Sequence, residues 1–165
     1  MARSDSRRPL LPSLLDRLID DAPEDRNERI AEGYHSLAEV RVAIRRDLEN
    51  LLNTRTRRLE WPEDAPLVAR SVAAYGIPDI SGRSLGSATQ RQAFLRSVEE
   101  LIRRFEPRFK SVKVLPQSAR NPYDRSLHFS IQAEVYAEPA PEPVSFDTTV
   151  EPATRTLVVA LSDTR

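Results

Sequence analysis

Apolar residues return at helical intervals through the first third of the chain. Leu37, Val40, Ile44, Leu48, Leu51 and Leu52 follow one another at steps of three and four, which places them on one stripe of a helix. Ser36-x-x-Glu39 in front of that stripe has the form of a capping box, so a helix is expected from residue 36 to about Arg55. "LEWPEDAP" then breaks the pattern with two prolines, and a second helix is expected from Pro66 to Tyr75, closed by Gly76. Ser87-x-x-Gln90 opens a third, marked by Phe94, Leu95, Val98, Leu101, Ile102 and Phe105. At Phe109 the period changes from 3.6 to 2. Val112 and Val114 continue one strand, Leu127, Phe129, Ile131, Ala133 and Val135 a second, Val144, Phe146, Thr148 and Val150 a third, and Thr156 to Leu161 a fourth. Helices followed by strands predict an α+β fold, with the helices packed on one face of a small, mainly antiparallel sheet of about four strands.

The N-terminal segment follows a different pattern. Residues 1–9 are polar and arginine-rich, and Leu11, Leu14, Leu15, Leu18 and Ile19 then form a short amphipathic stripe. Residues 20–35 carry turn formers and charges with little periodicity, as a tether does. The division expected is a flexible arm over 1–35 and one α+β domain over 36–165. Two readings of the leucine stripe stay open: it folds back onto the core, or Leu14, Leu15 and Leu18 dock on a partner. Pro12, Asp16 and Arg17 interrupt the apolar run, so it does not read as a signal peptide, and a cytoplasmic location is expected. No apolar run approaches the roughly 20 residues of a membrane span, so membrane insertion is not expected.

Composition narrows the chemistry. Lys and Arg together number 25, as do Asp and Glu, so no net charge steers the chain toward nucleic acid. The Arg45, Arg46, Arg55, Arg57 and Arg58 series is accordingly read as a solvated or protein-binding face. Without cysteine there is no thiolate chemistry, and His35 and His128 stand far apart, so neither a metal nor a cofactor is expected. Asp47, Glu49 and Glu106 are the carboxylates that a glycoside hydrolase would need, but Asp47 and Glu49 do not share a helix face and Glu106 lies beside an arginine. No catalytic residue is assigned.

The step Glu106-Pro107-Arg108 joins the third helix to the first strand. Proline disfavours helical geometry in the residue before it, so the helix must stop near Phe105. Glu106 then sits at the wrong end of the helix dipole and needs a partner. Because alternate residues of an extended chain need not meet, Arg108 is not expected to be that partner, and both charges are expected to serve something outside the chain.

"SLLDRL" at 13–18, "RRDLENLLNTR" at 45–55, "YGIPDISG" at 75–82, "FEPRF" at 105–109 and "PVSFDTTV" at 143–150 together carry a resemblance. In this order and spacing the chain resembles the TssE family of type VI secretion baseplate subunits, part of the phage baseplate-wedge family often labelled "tail lysozyme-like". The resemblance implies a cytoplasmic structural part of a contractile injection machine, set in a wedge with TssF and TssG beside TssK and touching the TssB/TssC sheath. It also implies that Glu106, Pro107 and Arg108 dock on the helical core bundle of the wedge, and that the sheet accepts a strand from the first sheath ring. Family members more often have leucine where this chain has Phe109; the apolar character is kept. The pattern does not say which strand forms the accepting edge. Thr156 to Leu161, with Val158 and Val159, is the candidate because it lies beside a short polar tail.

Overall fold

The computed structural model describes residues 18, 23–24, 37–56, 67–78, 87–118, 126–137, 140–151, 154 and 156–162. Helix α1 spans Leu37–Asn53 and α2 spans Ala88–Phe105; four strands follow, β1 (Phe109–Gln117), β2 (Leu127–Val135), β3 (Glu142–Val150) and β4 (Leu157–Leu161). The capping box of α2 forms as the sequence predicts. Ser87 Oγ accepts from the Gln90 N–H at 3.1 Å, and Gln90 Oε1 accepts from the Ser87 N–H. Ser36 lies outside the described residues, as do Leu14 and Leu15. Leu18 is described and is 82% exposed.

The sheet is an antiparallel meander in the order β1-β2-β3-β4, so each strand pairs with its sequence neighbour and β1 and β4 form the two edges. Alternation then divides the side chains between two faces. Val112, Val114, Phe129, Ile131, Ala133, Val135, Val144, Phe146, Val150, Leu157 and Val159 are buried on one of them. Val40, Ile44, Leu48, Leu51 and Leu52 of α1 and Phe94, Leu95, Val98, Leu101 and Ile102 of α2 pack against that face. Each such side chain, once fully buried, contributes about 1.5–3 kcal/mol. α1 lies mainly on β4 and α2 on β1. The opposite face is polar and is laced by side-chain hydrogen bonds: Gln117 to Asp147 at 2.6 Å, His128 to Thr149 at 3.0 Å and Ser111 to Glu134 at 3.0 Å. The α+β class, with helices on one face of a four-stranded antiparallel sheet, is thus the observed one.

One predicted element takes a different form. Instead of a helix over 66–75, the described residues form two short 3₁₀ turns, Val68–Arg70 and Val72–Ala74. Ser71 separates them. Its backbone is extended (φ −90°, ψ 171°) and its hydroxyl accepts from the Ala73 N–H at 3.2 Å, so it caps the second turn instead of continuing the first. Gly76 therefore does not close an α-helix. It has φ +104°, and a Cβ there would stand 2.5 Å from the Thr54 carbonyl oxygen. That close approach lets Ile77 N–H donate to Thr54 O at 2.9 Å and Thr56 N–H donate to Ile77 O at 3.0 Å, stitching the 3₁₀ segment to the end of α1.

Candidate functional site

The corner between α2 and β1 collects the most heavily buried charge among the described residues. Helix α2 ends with the Glu106 N–H donating to Ile102 O at 2.8 Å, after which Glu106 turns out of helical geometry (φ −114°, ψ 84°) as the following proline requires. Pro107 is exposed at the apex. Glu106, by contrast, is only 5% exposed. The chain folds back so tightly that Arg108 reaches it after all: Arg108 Nε donates to Glu106 Oε1 at 2.7 Å and Nη2 to Glu106 Oε2 at 2.5 Å. This bidentate fork corrects the expectation that the two charges lack a local partner. Extended-chain reasoning failed because residues 106–108 form a turn, in which the Arg108 main-chain N–H also donates to Glu106 Oε1.

Asp47 completes the cluster from 61 positions away. Arg108 Nη2 donates to Asp47 Oδ2 at 2.6 Å, and Arg46 Nη2 donates to Asp47 Oδ1 at 3.1 Å. Two carboxylates and two guanidiniums thus tie α1 to the end of α2. Burial alone would lower the Arg108 pKa, but hydrogen bonding and charge from Glu106, with a further share from Asp47, outweigh it and hold the pKa above the ordinary arginine value. Tyr75, edge-on to Phe105 with ring centroids 5.4 Å apart, lies within the electrostatic reach of Asp47 and Glu106. Its phenol pKa is raised by burial first, then by the charges of Asp47 and Glu106. With Asp47 and Glu106 gripping one guanidinium and Glu49 paired with Arg45 at 3.0 Å, the three carboxylates do not form a pair facing an open cleft.

The gp25 baseplate wedge protein family model matches residues 38–140, more than half of the chain, and takes in α1, α2, the corner, β1 and β2. The chain belongs to the gp25 baseplate wedge family. No curated protein and no solved structure gave a match. Membership makes the chain a TssE-like structural component of a baseplate, associating with other baseplate parts. Among the described residues, no helix is long and apolar enough to cross a membrane.

Of the remaining predicted site residues, Leu14 and Leu15 lie outside the described residues of this wedge protein, and Val158 and Val159 take no part in the ion pairs of the corner. Val158 and Val159 are on the edge strand β4, but they point to opposite faces: Val158 is 51% exposed, while Val159 is 2% exposed and belongs to the core. The Val159 side chain is therefore not available to a partner, and only its main chain borders the edge. Sequence reasoning missed Asp47 as part of the corner, along with Arg46 and Tyr75. Nothing local marks them, since each reaches the cluster by tertiary packing.

Proposed function

We propose that this chain is the wedge subunit of a type VI secretion baseplate in the cytoplasm, a structural part with no catalytic role. In this reading it docks through the Glu106-Pro107-Arg108 corner on the core bundle of TssF and TssG, beside TssK, and starts the TssB/TssC sheath by strand addition to its sheet. Leu14, Leu15 and Leu18 supply a second contact with the wedge.

The observation that supports it best is the corner itself. Glu106 and Asp47 are used up in orienting Arg108, so the surface offered to a partner is the exposed Pro107 together with the accessible rim of Arg108. A guanidinium already locked in direction loses little freedom when a partner binds, which favours specific docking. The rival glycoside hydrolase reading gains nothing from the geometry, because Glu106 is buried and shares its guanidinium with Asp47.

Pro107→Asp in the full chain, co-expressed with TssF and TssG, tests the docking. Because Pro107 is exposed, its melting temperature is expected to stay close to wild type while co-purification of the wedge falls. Undiminished wedge assembly would remove the corner from the docking surface. Release of soluble fragments from peptidoglycan by the wild-type protein, lost in Glu106→Gln, would overturn the structural reading in favour of hydrolysis.

A further inference from the structure

A strand can add only where main-chain groups point away from the sheet, and on each edge those groups belong to alternate residues. On β1 the parity is set by Val114, whose N–H donates to Glu99 Oε2 of α2 at 3.1 Å and so faces away from β2. Val112, Val114 and Pro116 are then the outward positions. Pro116 has no N–H to offer, and the Val114 donor is occupied by a carboxylate that Arg103 holds in place at 2.8 Å. The first edge is closed in part by its own covalent structure.

On β4 the outward positions are Leu157, Val159 and Leu161. Leu157 fixes the parity, because its N–H donates to Asn53 Oδ1 at 2.8 Å while Asn53 Nδ2 donates to the Leu157 carbonyl at 2.8 Å. A side-chain amide making both bonds to one residue reproduces the exchange that a paired strand residue makes in an antiparallel ladder. Next along, the Val159 carbonyl receives Arg45 Nη1 at only 3.5 Å, the outer limit of a hydrogen bond, and that arginine is already paired with Glu49. We infer that strand addition takes place at β4, and that Asn53 is a placeholder which the incoming strand displaces.

The exchange leaves no buried group without a partner, since main-chain amide groups replace side-chain amide groups one for one. The occupant is therefore an extended segment with apolar side chains at alternate positions, which would cover the half-exposed Val158 and Leu161 on either side of the edge. That the segment comes from the sheath rests on the function proposed above; the choice of edge and the role of Asn53 do not.

Amide hydrogen exchange on the full chain tests the placeholder without any partner. In Asn53→Ala the Leu157 N–H should exchange about tenfold faster, the factor corresponding to one or two side-chain hydrogen bonds, while the Val158 N–H, which faces β3, keeps its protection. Asn53→Asp, which keeps the acceptor but not the donor, should fall between the two and covers the case of a poorly folded alanine variant. Unchanged Leu157 exchange in both variants would overturn the placeholder. The chain has no cysteine, so Ala160→Cys on β4 and Lys113→Cys on β1 can each carry a short thiol-to-amine cross-linker. With purified TssB–TssC as the probe, cross-links are expected from position 160 and not from 113, and faster when Asn53→Ala is added. Cross-links from 113, or from neither position while the sheath protein still co-purifies, would overturn the choice of edge. Loss of co-purification itself counts against the sheath reading, and hydrogen exchange then decides the placeholder alone.

Discussion

The corner and the helix surfaces both carry arginine–carboxylate pairs, and distance hardly distinguishes them. Arg108 lies 2.5 Å from Glu106 and 2.6 Å from Asp47, while Arg103 lies 2.8 Å from Glu99 and Arg45 3.0 Å from Glu49. Exposure separates them: the side chains of Arg108, Glu106 and Asp47 are 6–19% exposed and the helix-surface ones 28–61%. A partly solvated i,i+4 pair trades water for a neighbour at little net gain, about 0.3–0.5 kcal/mol. A buried pair has given up its water already, so removing one member leaves the other stranded. The same contact contributes much to stability in one place and little in the other.

Glu106→Ala should break the contrast most visibly. It removes the fork and leaves Arg108 with Asp47 as its carboxylate partner, so a cost of about 3 kcal/mol, the low end for breaking a buried pair, is expected in urea unfolding of the full chain. A loss below about 1 kcal/mol would put the corner on a par with the surface pairs. Arg108→Lys keeps the charge but not the planar fork that serves two carboxylates at once. A loss of about 1–3 kcal/mol is expected, the scale of hydrogen bonds to charged groups, and a smaller one would mean that charge alone holds the corner. Arg103→Ala on the surface of α2 should cost less than about 1 kcal/mol, with the difference shrinking further in high salt; a salt-independent loss of several kcal/mol would contradict its solvated reading.

Tyr75→Phe is the mildest probe and reads the burial and then the charge around the corner. The folded protein holds the Tyr75 proton more tightly than the unfolded chain, whose phenol titrates near pH 10. Stability from this source is fully present below that pH and is lost as pH rises beyond it. Wild type should therefore lose more stability than Tyr75→Phe between about pH 9 and 11, with the two profiles running parallel below that window. Parallel profiles throughout would show that neither burial nor the charges of Asp47 and Glu106 hold the phenol proton.

Much of the architecture was legible because it repeats locally. The stripe from Val40 to Leu52 and the one from Phe94 to Ile102 announce helices, and the alternation read from Leu127 to Val135 matches the burial of its strand from Ile131 onward, where Ile131, Ala133 and Val135 are buried and Gln132 and Glu134 exposed. The site was legible only in outline. Glu106-Pro107-Arg108 marks a corner in the sequence, but the fork closes through a turn whose geometry one proline does not determine, and Asp47 meets it across 61 positions. The hydroxyl of Ser71 broke the predicted second helix by competing for a backbone N–H, a choice that apolar spacing does not register. The edge caps are equally silent in one dimension: Asn53 ends a helix like many other asparagines until Leu157 is brought beside it.

The seating of α1 on β4 also bears on the order in which the molecule is made. The meander pairs each strand with the one just synthesised, so β1 to β3 can assemble as they leave the ribosome. The earliest described helix must wait for the latest strand, with Asn53 and Leu157 separated by 104 positions. Until residues 157–161 emerge, the stripe of Val40, Ile44, Leu48, Leu51 and Leu52 has lost its main seat and remains open to chaperones and proteases. We expect a released chain truncated after residue 151 to be cut readily within 37–53, and the full-length chain to resist at the same sites. Equal resistance in both would mean that α1 settles on the three-stranded sheet without its last strand.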